Sequence, residues 1–362
     1  MNFLFVGGSN TLMQRGYVYQ FEKLYKTFQN EEINIKNIAI GANSCVHGLE
    51  LLKNENSLSG YDCIVVEYVV NDHKLAPSST IDTWRQAYEG IIRFLIKNCS
   101  PEVRIISLIL GRRDPKTFFR QKRLAKEIHG LSKKYSKYAN VEVLDATKIL
   151  WEISENRKDL YASMYKDGAH YSLPVAASLI GSLLLNHYVA GLQKGKIEFS
   201  SLESDQATNS FEHSVVIPAR QFGAAHRLFK NSKLEVSALV IGAGNSVELD
   251  VPGSVVSFSF ISTFDCLSVL VEEEGETPFF IDCRHKWVQA DHSRFTLKNL
   301  PLAWKRWGSC VGRRKIRFTA IAEDVRANLT HKYVGQYAFA APDPVPIDNA
   351  AFYLVSILSQ NA

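Results

Sequence analysis

The side chains best suited to chemistry in this sequence of 362 residues are a serine near its start and an aspartate–histidine pair near its middle. Ser9 follows four apolar residues and two glycines, which predicts a buried strand, a tight turn and an exposed hydroxyl. A hydroxyl is a weak nucleophile unless a base takes its proton and another group orients that base. Asp167 and His170 can supply both functions. Of the ten histidines, His170 is the only one with a carboxylate so placed on a predicted loop at the sheet edge.

Two further loops carry hydrogen-bond donors. Gly41 follows the second predicted strand, where its backbone can approach closely and donate its N–H, and Asn71 follows the third, where its side-chain amide can donate. With the N–H of Ser9, three donors would surround one developing negative charge, as an oxyanion hole requires. Ligands bind beyond the carboxyl ends of parallel strands, so we expect these residues to lie together.

The elements that must position these residues alternate between β-rich and helical stretches up to about residue 190, which predicts a five-stranded parallel sheet. The predicted strands are 3–6, 33–38, 63–66, 103–110 and 141–144, and the predicted helices are 17–28, 45–53, 82–97, 116–138 and 174–190. Apolar residues fall on one face of the third and fourth helices, which indicates core packing.

The second half of the chain has a different sequence pattern. Residues 1–192 are predicted to form one domain, 193–210 a polar linker, and 211–362 a β-rich accessory domain. Short β-prone runs separated by turn residues predict a β-sandwich there, with hairpin turns at 242–245 and 274–276.

The composition indicates a soluble globular protein: 46% of residues are apolar, 22% are charged, and the net charge is +5. This charge gives no reason to expect a nucleic-acid partner. No run reaches the length of a membrane span, the closest being 175–192, and the start lacks the features of a signal peptide. Six scattered cysteines predict free thiols rather than a metal site or redox pair. We therefore expect a cytoplasmic protein.

The order serine, glycine, asparagine and Asp-x-x-His on successive strand ends resembles the SGNH (GDSL-type) hydrolase family over residues 1–190, and the block 167–172 is its most specific part. The resemblance implies a flavodoxin-like three-layer sandwich and no cofactor. It also assigns roles to residues of this chain: Ser9 as nucleophile, His170 as general base, Asp167 as its orienting group, and Gly41 and Asn71 as completing the oxyanion hole.

Three positions depart from the family pattern. Gly8 stands where the family's Gly-Asp-Ser has aspartate, Val69 replaces the glycine of Gly-x-Asn-Asp, and Ala39 replaces an asparagine often found two residues before the second-block glycine. No catalytic group is lost, so the departures affect the fine geometry and hence the substrate.

Substrate signals are weaker. The fourth predicted strand ends in Gly-Arg-Arg-Asp, so Arg112 and Arg113 can line the crevice and bind a carboxylate or phosphate of an acidic substrate. Basic residues continue along the next predicted helix, 116–138, but a run of charges of this kind is more often a solvated helix face. The β-rich half contains Trp287, Trp304 and Trp307, and glycan binding, dimer contact and covering of the crevice all remain open as its role.

The leading hypothesis is a serine-dependent acyl transfer enzyme. The resemblance implies that it acts on acetyl groups of a carbohydrate or glycan precursor, as an esterase if water resolves the acyl-enzyme or as an O-acyltransferase if a sugar hydroxyl does. An expected intracellular location favours a step in polysaccharide biosynthesis. The alternative is a non-catalytic carbohydrate-binding protein that keeps the fold as a scaffold.

Overall fold

The computed structural model describes residues 1–114, 118–192, 202, 210–223, 225–284, 288, 294–302, 312–321 and 350–360. The chain divides into two compact units, Met1–Glu212 and His213–Ala362. Most of the predicted linker 193–210 lies outside the described residues, as do Trp287, Trp304 and Trp307.

The first unit is built on a parallel sheet of five strands. The strands are β1 (Asn2–Gly7), β2 (Asn34–Asn37), β3 (Cys63–Glu67), β4 (Arg104–Ile109) and β5 (Asn140–Asp145). Their order is β2-β1-β3-β4-β5, and every neighbouring pair is parallel. The order reverses between β1 and β3, which creates the crevice where ligands bind in flavodoxin-like sheets.

Helices cover both faces of this sheet. They are α1 (Ser9–Leu12), α2 (Tyr17–Gln29), α3 (Cys45–Lys53), α4 (Val69–Asp72), α5 (Ile81–Asn98), α6 (Phe118–Tyr135), α7 (Ala146–Ile153), α8 (Lys158–Ser163) and α9 (Val175–Leu192). Phe3 of β1 contacts Phe21 of α2 and Tyr188 of α9, with ring centroids 5.0 and 4.9 Å apart. Side chains alternate between the faces of a strand, and helices α3 and α5 pack on the opposite face. The predicted three-layer sandwich is therefore confirmed.

The sequence pattern located the long helices but not α1, α4, α7 and α8. Helices of four to eight residues carry too little of an apolar stripe to be distinguished from loops. Within the described part of the chain, no helix combines the length and apolar character needed to cross a membrane.

The second unit contains two antiparallel sheets. Its described strands are β6 (Val215–Pro218), β7 (His226–Lys230), β8 (Glu235–Gly242), β9 (Ser246–Pro252), β10 (Ser254–Ser262), β11 (Ser268–Glu273), β12 (Phe279–Ile281), β13 (Thr296–Pro301), β14 (Arg313–Ile321) and β15 (Ala351–Gln360). One sheet has the order β13-β10-β15-β8-β7 with β6 also paired to β15, and the other has the order β12-β11-β14-β9. Phe318 of the second sheet contacts Phe258 and Phe352 of the first, so the sheets pack face to face as a sandwich.

One predicted turn has a different role. The turn at 274–276 joins the paired strands β11 and β12, as predicted. The turn at 242–245 is not a hairpin, because β8 pairs with β7 and β15 whereas β9 pairs with β14 in the other sheet. The chain crosses from one sheet to the other at this point.

Candidate active site

The candidate site lies at the carboxyl end of β1, where the strand runs directly into α1. The N–H of Gly8 donates to the carbonyl of Glu67 at the end of β3 (3.1 Å), and the N–H of Leu12 donates back to the carbonyl of Gly8 (3.1 Å). These bonds fix the turn and place Ser9 in the first position of α1, beside the point where the strand order reverses.

The segment between α8 and α9 brings His170 and Asp167 to Ser9. An isolated β-bridge between Tyr165 and Tyr171 closes this segment. His170 Nε2 lies 2.8 Å from Ser9 Oγ, and His170 Nδ1 lies 2.8 Å from Asp167 Oδ2. The structure thus places the three side chains in one hydrogen-bonded row across 161 residues of sequence.

Asp167 is held as a carboxylate. Its Oδ1 accepts the N–H groups of Ala169 (2.8 Å) and His170 (2.9 Å), while Oδ2 faces the imidazole. Partial burial would raise the pKa of Asp167, but these hydrogen bonds outweigh burial and lower the pKa to about 2. A carboxylate only accepts hydrogen bonds, so we assign the proton of neutral His170 to Nδ1, which leaves Nε2 to accept the Ser9 hydroxyl proton.

Gly41 and Asn71 both lie beside the serine turn. A Cβ built on Gly41 would be 3.5 Å from the Cβ of Ser9, an ordinary contact distance. The Asn71 side chain lies across Gly8, and its Nδ2 donates to the carbonyl of Asn43 at 2.7 Å. An amide nitrogen carries two hydrogens, so one donor of Asn71 is left over after this bond.

This position of Asn71 explains the glycine at position 8. A Cβ there would lie 2.6 Å from Asn71 Nδ2 and 2.9 Å from both Cγ and Oδ1, well inside van der Waals contact. Gly8 itself has φ −91° and ψ −154°, a conformation that other residues can adopt. Space for the Asn71 amide, and not backbone freedom, therefore requires glycine here.

Two asparagines that the sequence analysis did not select also join the loops of the site. Asn10 donates from Nδ2 to the carbonyl of Ala169 (2.9 Å) and accepts the N–H of Tyr171 through Oδ1 (3.2 Å). Asn37 donates to the carbonyl of Thr11 (2.7 Å) and accepts the N–H of Ala39 (3.0 Å). The only sequence signal for Asn10 was its place directly after the serine.

Two buried carboxyl groups flank the loop that carries Asn71. Glu67 Oε2 accepts the hydroxyl of Thr11 at 3.0 Å, and Asp72 accepts the backbone N–H of Cys45 (3.0 Å) and the indole N–H of Trp84 (2.8 Å). Burial raises the pKa of Glu67 and that of Asp72 to about 7 each, against the opposing effect of these bonds. The hydrogen bonds of these two carboxyl groups hold the loop in place. The sequence predicted no role for either residue.

The two predicted substrate-binding arginines are placed differently. The half-buried Arg112 lies near Gly168, with Nη2 3.8 Å from the position of a Cβ there. Its Nε is buried and has no hydrogen-bond partner among the described residues. Burial lowers the pKa of Arg112, partly offset by Asp114 and Asp167, and an arginine stays charged at neutral pH. Arg113 is exposed, and its backbone N–H donates to the carbonyl of Gly168 (3.2 Å).

Burial and the charge of Arg112 both affect the pKa of His73, which lies two residues after Asn71. Burial, and next the charge of Arg112, lower the pKa of His73 to about 4. The ring is therefore neutral at pH 7, and its Nδ1 donates to the carbonyl of Val70 (2.9 Å). Arg112 is thus a fixed positive charge that acts on both the Asn71 loop and the Asp167 loop.

Comparison with solved structures finds similar folds for both units of the chain. No family model matches the sequence, and no curated protein is significantly similar to it. Two crystal structures of a two-domain esterase active on acetylated mannans, one co-crystallised with mannopentaose, match 100% of this chain and 91% and 90% of their own, with TM-scores of 0.66 and 0.65 at 14% identity. A lipase/acylhydrolase from Enterococcus faecalis matches 55% of this chain and 100% of its own at 21% identity, with a TM-score of 0.43. The described residues therefore share the fold of the two-domain esterase, which confirms the predicted flavodoxin-like unit followed by a β-rich unit.

Proposed function

We propose that the protein is a serine-dependent carboxylic ester hydrolase that removes acetyl groups from a carbohydrate. The observation that carries the proposal is the row Ser9–His170–Asp167, with 2.8 Å at each of its two hydrogen bonds. These are the distances at which a base can take a hydroxyl proton and a carboxylate can orient that base. The activity of the esterase with this fold on acetylated mannans supports acetylated glycan as the substrate class.

The reaction proceeds through two acyl transfers. Ser9 Oγ attacks the ester carbonyl as His170 Nε2 takes its proton, and the N–H groups of Ser9 and Gly41 and the amide of Asn71 stabilise the oxyanion. The bond to the sugar oxygen then breaks, and His170 returns the proton to that oxygen. Water then attacks the acyl-enzyme as His170 Nε2 takes its proton, the bond between the acetyl carbon and Ser9 Oγ breaks, and His170 gives the proton to Oγ; the acetic acid released ionises to acetate. Asp167 stays ionised and stabilises the imidazolium in both steps.

Hydrolysis is favoured over transfer to a sugar hydroxyl by the exposure of the triad. The Asp167 side chain is 50% exposed and that of His170 is 26% exposed, so water can approach the acyl-enzyme. An O-acyltransferase must keep water from this intermediate. The acyltransferase activity therefore stays the second candidate, to be tested by offering glycan acceptors together with an acetyl donor.

The test combines turnover with covalent labelling. Wild type is expected to hydrolyse p-nitrophenyl acetate and to be labelled on Ser9 by a fluorophosphonate, with the site read by peptide mass spectrometry. Ser9→Ala and His170→Ala are expected to lose both properties. Equal hydrolysis by wild type and Ser9→Ala would refute the proposal. An inert wild type that binds glycans would support the non-catalytic alternative instead.

Arg112 can select substrates that carry a negative charge near the scissile ester. Arg112 is half-buried beside Gly168 of the Asp167 loop, and a guanidinium held there can form hydrogen bonds to a carboxylate. We expect Arg112→Ala to raise KM for an acetylated uronic acid at least tenfold and to leave KM for neutral p-nitrophenyl acetate unchanged. Arg113→Ala, on the exposed neighbour, is the matched control. Equal losses on both substrates would contradict this role.

A further inference from the structure

We propose that Asn10 is a positioning residue that holds His170 against Ser9; this inference rests on the proposed function. Asn10 follows Ser9 directly on α1 and is 3% exposed. Its amide binds the carbonyl of Ala169 and the N–H of Tyr171, the two residues on either side of His170. The nucleophile and the base are therefore joined through the backbone that carries each of them.

Other hydrogen bonds of this segment either hold its internal shape or join it to the residues after β4, where the N–H of Arg113 donates to the carbonyl of Gly168 (3.2 Å) and the N–H of Gly111 donates to the hydroxyl of Tyr171 (3.0 Å). The N–H of Lys166 donates to the carbonyl of His170 (2.8 Å), and the N–H of Ser172 donates to the carbonyl of Met164 (2.8 Å). Asp167 likewise binds His170 within the segment. None of these bonds reaches α1, so the bonds of Asn10 are the ones that join this segment directly to the helix that carries Ser9.

The direct bond between His170 and Ser9 cannot hold the two parts together by itself. That bond is broken whenever Nε2 accepts the proton and passes it to the leaving group or takes one from water. The bonds of Asn10 involve no reacting atom and persist through the cycle. They keep the two reacting groups at a fixed distance while the bond between them forms and breaks, and a 1 Å misplacement of such groups can cost about 100-fold in rate.

An amide is the side chain that fits both partners. Nδ2 faces an acceptor and Oδ1 faces a donor, so an aspartate at position 10 would keep the bond from Tyr171 and place an unpaired oxygen against the carbonyl of Ala169. Asn10→Asp has nearly the same volume and therefore tests hydrogen bonding apart from packing.

The experiment compares Asn10→Ala and Asn10→Asp with wild type and with Asn2→Ala. Asn2 also donates to a backbone carbonyl, that of Gly60 (3.0 Å), but lies at the opposite end of β1. We expect kcat on p-nitrophenyl acetate to fall about 100-fold in both Asn10 variants with KM within twofold of wild type, and Asn2→Ala to keep wild-type kcat. Fluorophosphonate labelling of Ser9 is expected to slow in parallel.

A second measurement separates positioning from loss of structure. The proton between His170 Nδ1 and Asp167 gives a low-field NMR signal that does not depend on turnover, and we expect it to persist in both Asn10 variants because that bond is internal to the segment. Loss of this signal, or kcat within threefold of wild type, would overturn the inference. If Asn10→Ala does not fold, the isosteric Asn10→Asp decides by the same criteria. A wild type that is inert and unlabelled would refute the proposed function itself. An active wild type with equally active Asn10 variants would refute only the role of Asn10.

Discussion

Replacing Gly8 with alanine should disable the candidate oxyanion hole while leaving the fold intact. The new Cβ would lie 2.6 Å from Asn71 Nδ2, whereas non-bonded atoms prefer about 3.5–4 Å. The amide must therefore move by about 1 Å. The contacts are with the side-chain amide of Asn71, and the backbone angles of Gly8 suit alanine. We therefore expect the Asn71 side chain to move and the backbone to stay in place.

The size of the effect follows from what Asn71 would lose. Moving its amide breaks the 2.7 Å bond to the carbonyl of Asn43, which reduces the free energy of unfolding by about 1 kcal/mol. It also removes one donor from the oxyanion, which typically lowers kcat by about 100- to 1000-fold. Gly8→Asp, which restores the residue usual in the resembling family, carries the same Cβ and should be equally slow.

A double-mutant cycle with Asn71→Ala tests whether Gly8 acts through Asn71. The measured quantity is kcat on p-nitrophenyl acetate for wild type, Gly8→Ala, Asn71→Ala and the double variant, with thermal unfolding as the control for folding. If both single changes remove the same donor, the double variant is no slower than Asn71→Ala alone. Wild-type kcat in Gly8→Ala, or losses that multiply in the double variant, would refute the steric explanation.

Three further predictions concern charges. Glu67 is neutral in the folded state below its pKa of about 7. The contribution of the neutral carboxyl to the free energy of unfolding is therefore fully present at pH 4 and is lost as the pH rises through 7. Glu67→Gln should therefore gain up to about 3 kcal/mol over wild type between pH 5 and 9 in urea unfolding; a pH-independent difference would contradict this. Arg93 and Glu212 form a buried ion pair (2.7 Å, each side chain 4% exposed), so Arg93→Met should cost about 3 kcal/mol in thermal unfolding and the double change Arg93→Met/Glu212→Leu should recover most of it; full loss in the double variant would oppose this. Asp167→Asn can satisfy either its backbone donors or the ring but not both, so kcat should fall about 1000- to 10,000-fold; a loss below tenfold in ester hydrolysis would show that the carboxylate is not needed.

The sequence predicted the first unit better than the β-rich unit because the two kinds of strand leave different patterns. Strands β3 and β4 are buried throughout and β1 is buried after Asn2, and such strands appear as continuous apolar runs. The ten-residue strand β15 is also mostly buried but lies outside the predicted strands. Its apolar residues are interrupted by Ser356 and Ser359, and short apolar runs do not distinguish strand from helix. Turn residues at 242–245 indicated a reversal of the chain but not the sheet of the next strand.

The candidate triad residues could be selected from sequence because their types and order are chemically restrictive, whereas the residues that support them could not. Ser9, Asp167 and His170 each follow or precede a recognisable element. Asn10 binds backbone groups 159 and 161 residues away. The need for glycine at position 8 likewise depends on a contact between two loops, since a Cβ there would lie 2.6 Å from Asn71 Nδ2. Periodicity assigns loops to one edge of a sheet, but it does not tell which side chain meets which peptide group.

Asparagine side chains join the loops around Ser9. Glycine at position 8 leaves room for the amide of Asn71, which ties the third loop to the second through Asn43. Asn10 ties the nucleophile to the segment of the base, and Asn37 ties β2 to α1. Each of these contacts joins groups on different loops, and Asn10 and Asn37 each use one donor and one acceptor. An amide offers both without charge, and a carboxylate at either position would leave a carbonyl facing an oxygen. At these two positions the loops around Ser9 are therefore joined without adding negative charge near the oxyanion proposed to form there.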